Sequence, residues 1–239
     1  MSLEIEVVDD PARACAAMLV SAAARGGHIA LAGGSTPREA YNEFVTAVQA
    51  AGVDLSATTF WFGDERCVAP EDDRSNFKMV KESLLGPLGD LCRARVMRIK
   101  GELGPQAAAE DYDRRLREAG PPEFELVLLG LGPDGHTASL FPDQESLSIR
   151  SRLAFGVSQA GLEPFVPRVT LTLPALAASR RVVFLAAGAA KAQAVRAAFA
   201  PGALPDPHVP ASLVAREARA ITVLLDGPAA QELEGMEQP

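Results

Sequence analysis

Short apolar runs recur along the chain, and stretches whose apolar residues return every third or fourth position separate several of them. Residues 3–8, 28–32, 58–62, 95–99, 124–131, 169–173, 181–187 and 220–225 read as strands. Asp10 and Pro11 open an alanine-rich helix that ends at Gly26 and Gly27. The aspartate caps orphan amides, proline's fixed φ suits the first helical position, and glycine accepts the left-handed stop. Thr36 and Pro37 start a second helix running to about residue 51, and 75–85, 105–118 and 189–199 read as further helices. The run 124–131 is apolar almost throughout, as in a central strand covered on both faces.

This alternation predicts an α/β fold, a three-layer Rossmann-like and mostly parallel sheet with helices on both faces. The Pro- and Gly-rich segment 201–210 reads as a connection, and no linker divides two blocks of composition. One domain over residues 1–239 is the expectation, a length that buries a core without disulfides or structural metal. The apolar fraction of 48% is that of a globular protein.

Charge and cysteine usage narrow the function classes. Thirty-one acidic against 23 basic residues leave a net charge of -8, which excludes broad contact with a nucleic-acid backbone. An anionic ligand must therefore be held in a local pocket. Cys15, Cys67 and Cys92 form no Cys-x-x-Cys pair, and His28, His136 and His208 have no neighbour at ligand spacing, so no metal site is expected. The N-terminal segment is acidic with no apolar h-region, and no apolar stretch reaches membrane-spanning length, which points to a cytoplasmic protein away from membranes.

In α/β sheets ligands bind beyond the carboxyl ends of the strands, and the informative motifs fall there. After the second strand comes Gly33-Gly34-Ser35-Thr36-Pro37. Its glycines allow close backbone approach, its hydroxyls and the helix amides can cradle an anion, and phosphate is the natural guest. Dinucleotide and nucleoside triphosphate patterns are absent, and Pro37 stands where a nucleophile elbow needs glycine. The plainer reading is a tight turn with Thr36 as N-cap. After the third strand comes Gly63-Asp64-Glu65-Arg66. Arg66 could hold a carbonyl oxygen or phosphate, with Asp64 or Glu65 orienting it, although three charges at a strand end also suit a solvated loop.

The segment 130–142 follows the most apolar strand and carries Asp134 and His136 across a glycine. The carboxylate can fix the imidazole tautomer, and a histidine so placed suits a general base near neutral pH. A turn histidine bonded to backbone is the plainer reading, and it is preferred for His28 and His208. Arg168 and Lys191 are the remaining basic candidates. Lys191 falls in the first turn of its helix, where a cation opposes the macrodipole unless an anion shares that helix end.

Taken in order, these segments resemble the 6-phosphogluconolactonase family, within the broader glucosamine-6-phosphate isomerase/deaminase-type fold. The resemblance runs over nearly the whole chain and includes Ser75-Asn76, the segment 168–172, Gly188 with Lys191-Ala192, and Pro210-Ala211-Ser212. Ala69 and Val223 depart from the family pattern, which usually has proline and frequently an aromatic at these places. The resemblance implies hydrolysis of 6-phospho-D-glucono-1,5-lactone, the second step of the oxidative pentose phosphate pathway, without metal or organic cofactor. It implies His136 as the base that deprotonates water, Arg66 near the lactone, and Arg168 and Lys191 facing the phosphate. The Gly33 to Thr36 loop then becomes the sugar-phosphate cradle. The expected partner is this small lactone, and the expected assembly a monomer or small homo-oligomer. The isomerase/deaminase branch is the nearest alternative, but Phe141 stands where it resembles a chain with an acidic relay residue. A non-catalytic sugar-phosphate sensor is the alternative from another class.

Overall fold

The computed structural model describes residues 2–120 and 123–233. Its main sheet contains β1 (Ser2–Val7), β2 (Gly27–Leu31), β3 (Thr58–Phe62), β5 (Arg95–Val96), β6 (Phe124–Gly130), β9 (Val182–Ala186) and β10 (Ala220–Leu225). These seven strands lie in the order β1-β10-β9-β6-β2-β3-β5, and every neighbouring pair is parallel. A second sheet of β4 (Asp64–Arg66), β8 (Arg168–Leu171) and β7 (Ala154–Val157) is antiparallel, with β8 in the middle.

The helices are α1 (Pro11–Arg25), α2 (Ser35–Ala51), α3 (Asn76–Val80), α4 (Gly86–Leu88), α5 (Pro105–Glu118), α6 (Leu173–Ala177), α7 (Ala192–Phe199), α8 (Pro210–Glu217) and α9 (Gly227–Ala230). A π-helical turn, Lys81–Leu85, joins α3 to α4. From β2 the chain steps outward to β3 and β5, whereas from β6 it steps the opposite way to β9 and β10. Right-handed crossovers in opposite directions place their helices on opposite faces of the sheet. Accordingly α1 packs on α2, while α8 packs on α6 and α7. Every position of β9 is buried, as coverage on both faces requires. The reversal leaves a crevice between β2 and β6, the topological switch point where α/β sheets bind ligands.

The amphipathic helices supply the core that fixes this crevice. Trp61, Phe60 and Phe62 on β3 are fully buried with Tyr41 and Phe44 of α2 and Tyr112 of α5. The chain's two tyrosines each close a strand end. The Tyr41 hydroxyl donates to Ala32 O at 2.7 Å and accepts from Ala32 N at 2.9 Å. That of Tyr112 treats Phe62 in the same way, at 3.0 and 2.8 Å. Both strands thus end with satisfied backbone groups where their loops depart, as buried polar groups require.

Three details differ from the sequence reading. Residues 169–173 read as a strand of the large sheet, but Arg168–Leu171 pairs antiparallel in the small one and α6 starts at Leu173. Asp64, Glu65 and Arg66 read as a loop but form β4, because β8 pairs with them antiparallel, and Glu65 takes up nearby amides. The 95–99 strand shrinks to two residues, Arg95–Val96, at a sheet edge. Among the described residues no helix is long and apolar enough to cross a membrane.

Candidate active site

A cavity of about 270 Å³ opens beyond the carboxyl ends of β2, β3, β6 and β9. Gly33, Gly34, Ser35, Thr36, Asp64, Arg66, His136, Arg168 and Lys191 all line it. Asp134 does not, but it touches His136 from behind.

The loop after β2 starts α2 one residue earlier than the sequence suggests. Gly34, with φ of 105°, holds the cap position, not Thr36, and no side chain caps the helix. The first helical bond runs from Arg38 N to Gly34 O. Among the described residues no acceptor takes the amides of Ser35 and Thr36. These donors carry the positive end of a long helix, the setting in which an anion is stabilised. A Cβ on Gly33 would fall 1.9 Å from Asn76 Oδ1, so this asparagine needs a glycine beneath it.

Asn76 begins α3 and leads into a buried polar strut. Its Nδ2 donates to the Asp64 carbonyl at 3.0 Å and to Asp64 Oδ1 at 2.9 Å. Asp64 Oδ2 accepts from Ser139 Oγ at 2.5 Å and lies 3.9 Å from Arg168 Nη1. Asp64 therefore ties β4 to α3, β8 and the loop after β6. It does not orient Arg66, whose Nη1 donates to the Arg74 carbonyl at 2.6 Å. Glu65 accepts from the amides of Arg66, Asn76 and Phe77 and from the Ser75 hydroxyl. Burial pushes its carboxyl above the usual range, and these amide bonds pull against that rise.

The loop after β6 brings Asp134 Oδ1 to 2.5 Å from His136 Nδ1 and to 3.2 Å from the His136 amide. A Cβ on Gly132 would strike His136 Nδ1 at 2.0 Å and Asp134 Oδ1 at 2.5 Å, so the pair fits only over glycine. Burial would raise the Asp134 carboxyl, but the hydrogen bond and charge of His136 prevail and hold it below its ordinary value. The opposite ring nitrogen, Nε2, has no hydrogen bond among the described residues. Phe141, itself buried, packs its ring 4.8 Å from the imidazole and 5.7 Å from the Arg168 guanidinium.

The cationic groups arrive on separate elements. Arg168, buried at the start of β8, donates through Nη2 to Pro164 O at 3.0 Å and Leu162 O at 3.4 Å. Burial lowers its basicity, which Asp64 partly restores. The Nε atoms of Arg66 and Arg168 are buried and have no hydrogen-bond partner among the described residues. Lys191 ends a 3-10 turn, Ala189–Lys191, so the α-helix starts after it and not at residue 189. Its ammonium forms no ion pair among the described residues, and burial lowers its pKa against a smaller opposing pull from Asp134. Three cationic side chains and uncapped amides thus share one cavity, an arrangement suited to an anionic ligand.

The chain is similar to known proteins in sequence and in fold. The family model described as glucosamine-6-phosphate isomerases/6-phosphogluconolactonase matches residues 4–223. The chain is 38% identical over 192 residues to 6-phosphogluconolactonase of Homo sapiens, covering 75% of this chain and 74% of that protein. The chain belongs to the 6-phosphogluconolactonase family. A Streptomyces coelicolor relative of the same name is 34% identical over 95% of this chain and 86% of its own length. The solved structure of 6-phosphogluconolactonase from Leishmania guyanensis superposes with a TM-score of 0.83 at 29% identity, covering 100% of both chains. This family membership agrees with the mostly parallel α/β architecture derived above.

Two cavity residues carried weak signals. Asn76 stood out only as half of Ser75-Asn76, where Ser75 caps α3 by accepting from Lys78 N. Glu163 also lines the cavity from an irregular loop and has no pattern around it that sequence reasoning could use.

Proposed function

We propose that this chain hydrolyses 6-phospho-D-glucono-1,5-lactone to 6-phospho-D-gluconate, the second step of the oxidative pentose phosphate pathway. The observation that carries this reading is the Asp134–His136 pair, with Nε2 unengaged, in a cavity that also holds Arg66, Arg168 and Lys191. The family's lactonase members support the substrate assignment.

In this reading His136 Nε2 takes a proton from water as the water oxygen attacks C1 of the lactone. Asp134 keeps the Nδ1 proton in place and offsets the charge of the imidazolium. Negative charge grows on the former carbonyl oxygen, where Arg66 or backbone amides stabilise it. Collapse of the tetrahedral intermediate breaks the bond from C1 to the ring oxygen. The imidazolium returns its proton to that oxygen, leaving a hydroxyl and a carboxylic acid that ionises. Gly33, Gly34, Ser35, Thr36, Arg168 and Lys191 hold the phosphate, and Asp64 supports the wall through Asn76 and Ser139. No metal or organic cofactor takes part, and the protein works in the cytoplasm as a monomer or small homo-oligomer.

Phe141 speaks against the deaminase branch, since a buried phenyl beside His136 cannot relay protons for ring opening. The test is purified protein on freshly made 6-phosphogluconolactone beside glucosamine 6-phosphate. Acid release well above spontaneous hydrolysis, with no ammonia from the amino sugar, is expected. Ammonia release would favour the deaminase, and phosphogluconate binding at the spontaneous rate would favour a sensor.

A further inference from the structure

The last strand ends in a carboxylate that does not line the cavity yet reaches a loop that does. Asp226 follows β10 and caps α9, with Oδ1 accepting from Ala229 N at 2.8 Å. The same carboxylate accepts from Gly188 N, with both oxygens at 3.0 Å. Gly188 sits at φ of 90°, a conformation that L side chains rarely adopt, and its carbonyl accepts from Lys191 N at 3.0 Å. A chain of three hydrogen-bonding links thus runs from α9 through Asp226 and Gly188 to the backbone of Lys191. Among the described residues no side chain other than Asp226 hydrogen-bonds to this turn. The Lys191 ammonium has no ion pair among the described residues, and its turn is a single 3-10 turn without a side-chain cap.

We propose that Asp226 is a positioning residue for phosphate binding: its carboxylate pins the Gly188 turn and so aims Lys191 into the cavity. This rests on the reading of Lys191 as a phosphate contact. The physical reason is that a lysine ammonium sits on a flexible four-carbon stem with much freedom to lose. Fixing its backbone removes motion that binding would otherwise have to remove. A charge-assisted bond to a backbone amide is a stronger anchor than a neutral one. The turn is thus held in the absence of any ligand, and the ammonium is presented at one place on the wall.

The experiment measures KM and kcat on 6-phosphogluconolactone, with affinity for 6-phosphogluconate by calorimetry, for Asp226→Ala, Asp226→Asn, Lys191→Ala and Asp10→Ala. Asp10 caps α1 through Arg13 N in the way Asp226 caps α9, but it lies away from the cavity. It therefore controls for the mere loss of a cap, read from the melting temperature of each variant. Lys191→Ala should raise KM by roughly 10- to 100-fold. Asp226→Ala should raise KM by about 3- to 10-fold and weaken phosphogluconate in parallel, with kcat changed less than about twofold. Asp226→Asn, which keeps one carbonyl oxygen for Gly188 and Ala229, should fall between Asp226→Ala and the wild type, and Asp10→Ala should move neither constant. If Lys191→Ala raises KM but Asp226→Ala does not, the positioning role is overturned while the phosphate reading survives. If Lys191→Ala leaves KM unchanged, the phosphate reading itself fails. Should Asp226→Ala not fold, Asp226→Asn decides, and a wild-type KM and phosphogluconate affinity in that variant would count against the proposal.

Discussion

Two partly buried histidines sit near opposite ends of the same sheet, and each is bonded through Nδ1. His28 stands on β2 near its amino end, where Nδ1 accepts a hydrogen bond from Trp61 Nε1 at 2.8 Å. His136 follows the carboxyl end of β6, where Nδ1 faces the Asp134 carboxylate at 2.5 Å. An indole N–H can only donate, so His28 Nδ1 must be unprotonated and its proton sits on Nε2. A carboxylate can only accept, so His136 Nδ1 carries a proton and donates it to Asp134. Burial, helped by the charge of Arg95, lowers the His28 pKa and favours the neutral ring. The partner on Nδ1, and not burial, separates a structural imidazole from one ready to take a proton.

That comparison can be broken by substitution, starting where the effect is greatest. His136→Ala should lower kcat by about 10²–10⁴-fold with little change in KM, because it removes the base but none of the phosphate contacts. Steady-state kinetics on the lactone check this, and a variant with full activity would remove His136 from the mechanism. Asp134→Asn should lower kcat by roughly 10–10²-fold, since the imidazolium then forms without its counter-charge. An unchanged kcat would mean that the carboxylate only shapes the turn. His28→Gln should leave kcat and KM alone and cost stability of about 1 kcal/mol through the Trp61 hydrogen bond.

The His28 variant also carries a pH signature. Because the folded-state pKa of His28 is lowered, the unfolded chain binds the extra proton first as pH falls. Its contribution to stability is complete above the unfolded pKa and is lost progressively below about 6.5. Wild-type melting temperature should therefore fall more steeply on acidification through that range than that of His28→Gln. The fluorescence of Trp61, the chain's only tryptophan, follows the same transition. Parallel melting curves would show that His28 does not titrate on unfolding.

The sequence made some of this legible. Strands such as β6 and β3 announce themselves because the interior of a parallel sheet tolerates little else than apolar residues. Gly132, Asp134 and His136 are local in the chain, so their pairing can be read from spacing. The small sheet could not be read in this way. β4 is three residues long and fully charged, and it exists only because β8, far along the chain, pairs with it. The role of Asp64 changed for the same reason: its partners Asn76, Ser139 and Arg168 come from three separate segments. The tyrosines at Ala32 and Phe62 were equally hidden, since a hydroxyl reaching a strand end leaves no periodic trace.

The central claim is that His136, and not His28, is the base that takes the proton from water. The most direct measurement is kcat for 6-phosphogluconolactone, for wild type, His136→Ala and His28→Gln together. A fall of about 10²–10⁴-fold in His136→Ala, with His28→Gln at the wild-type rate, is predicted. Full activity in His136→Ala, or a comparable fall in His28→Gln, would contradict it.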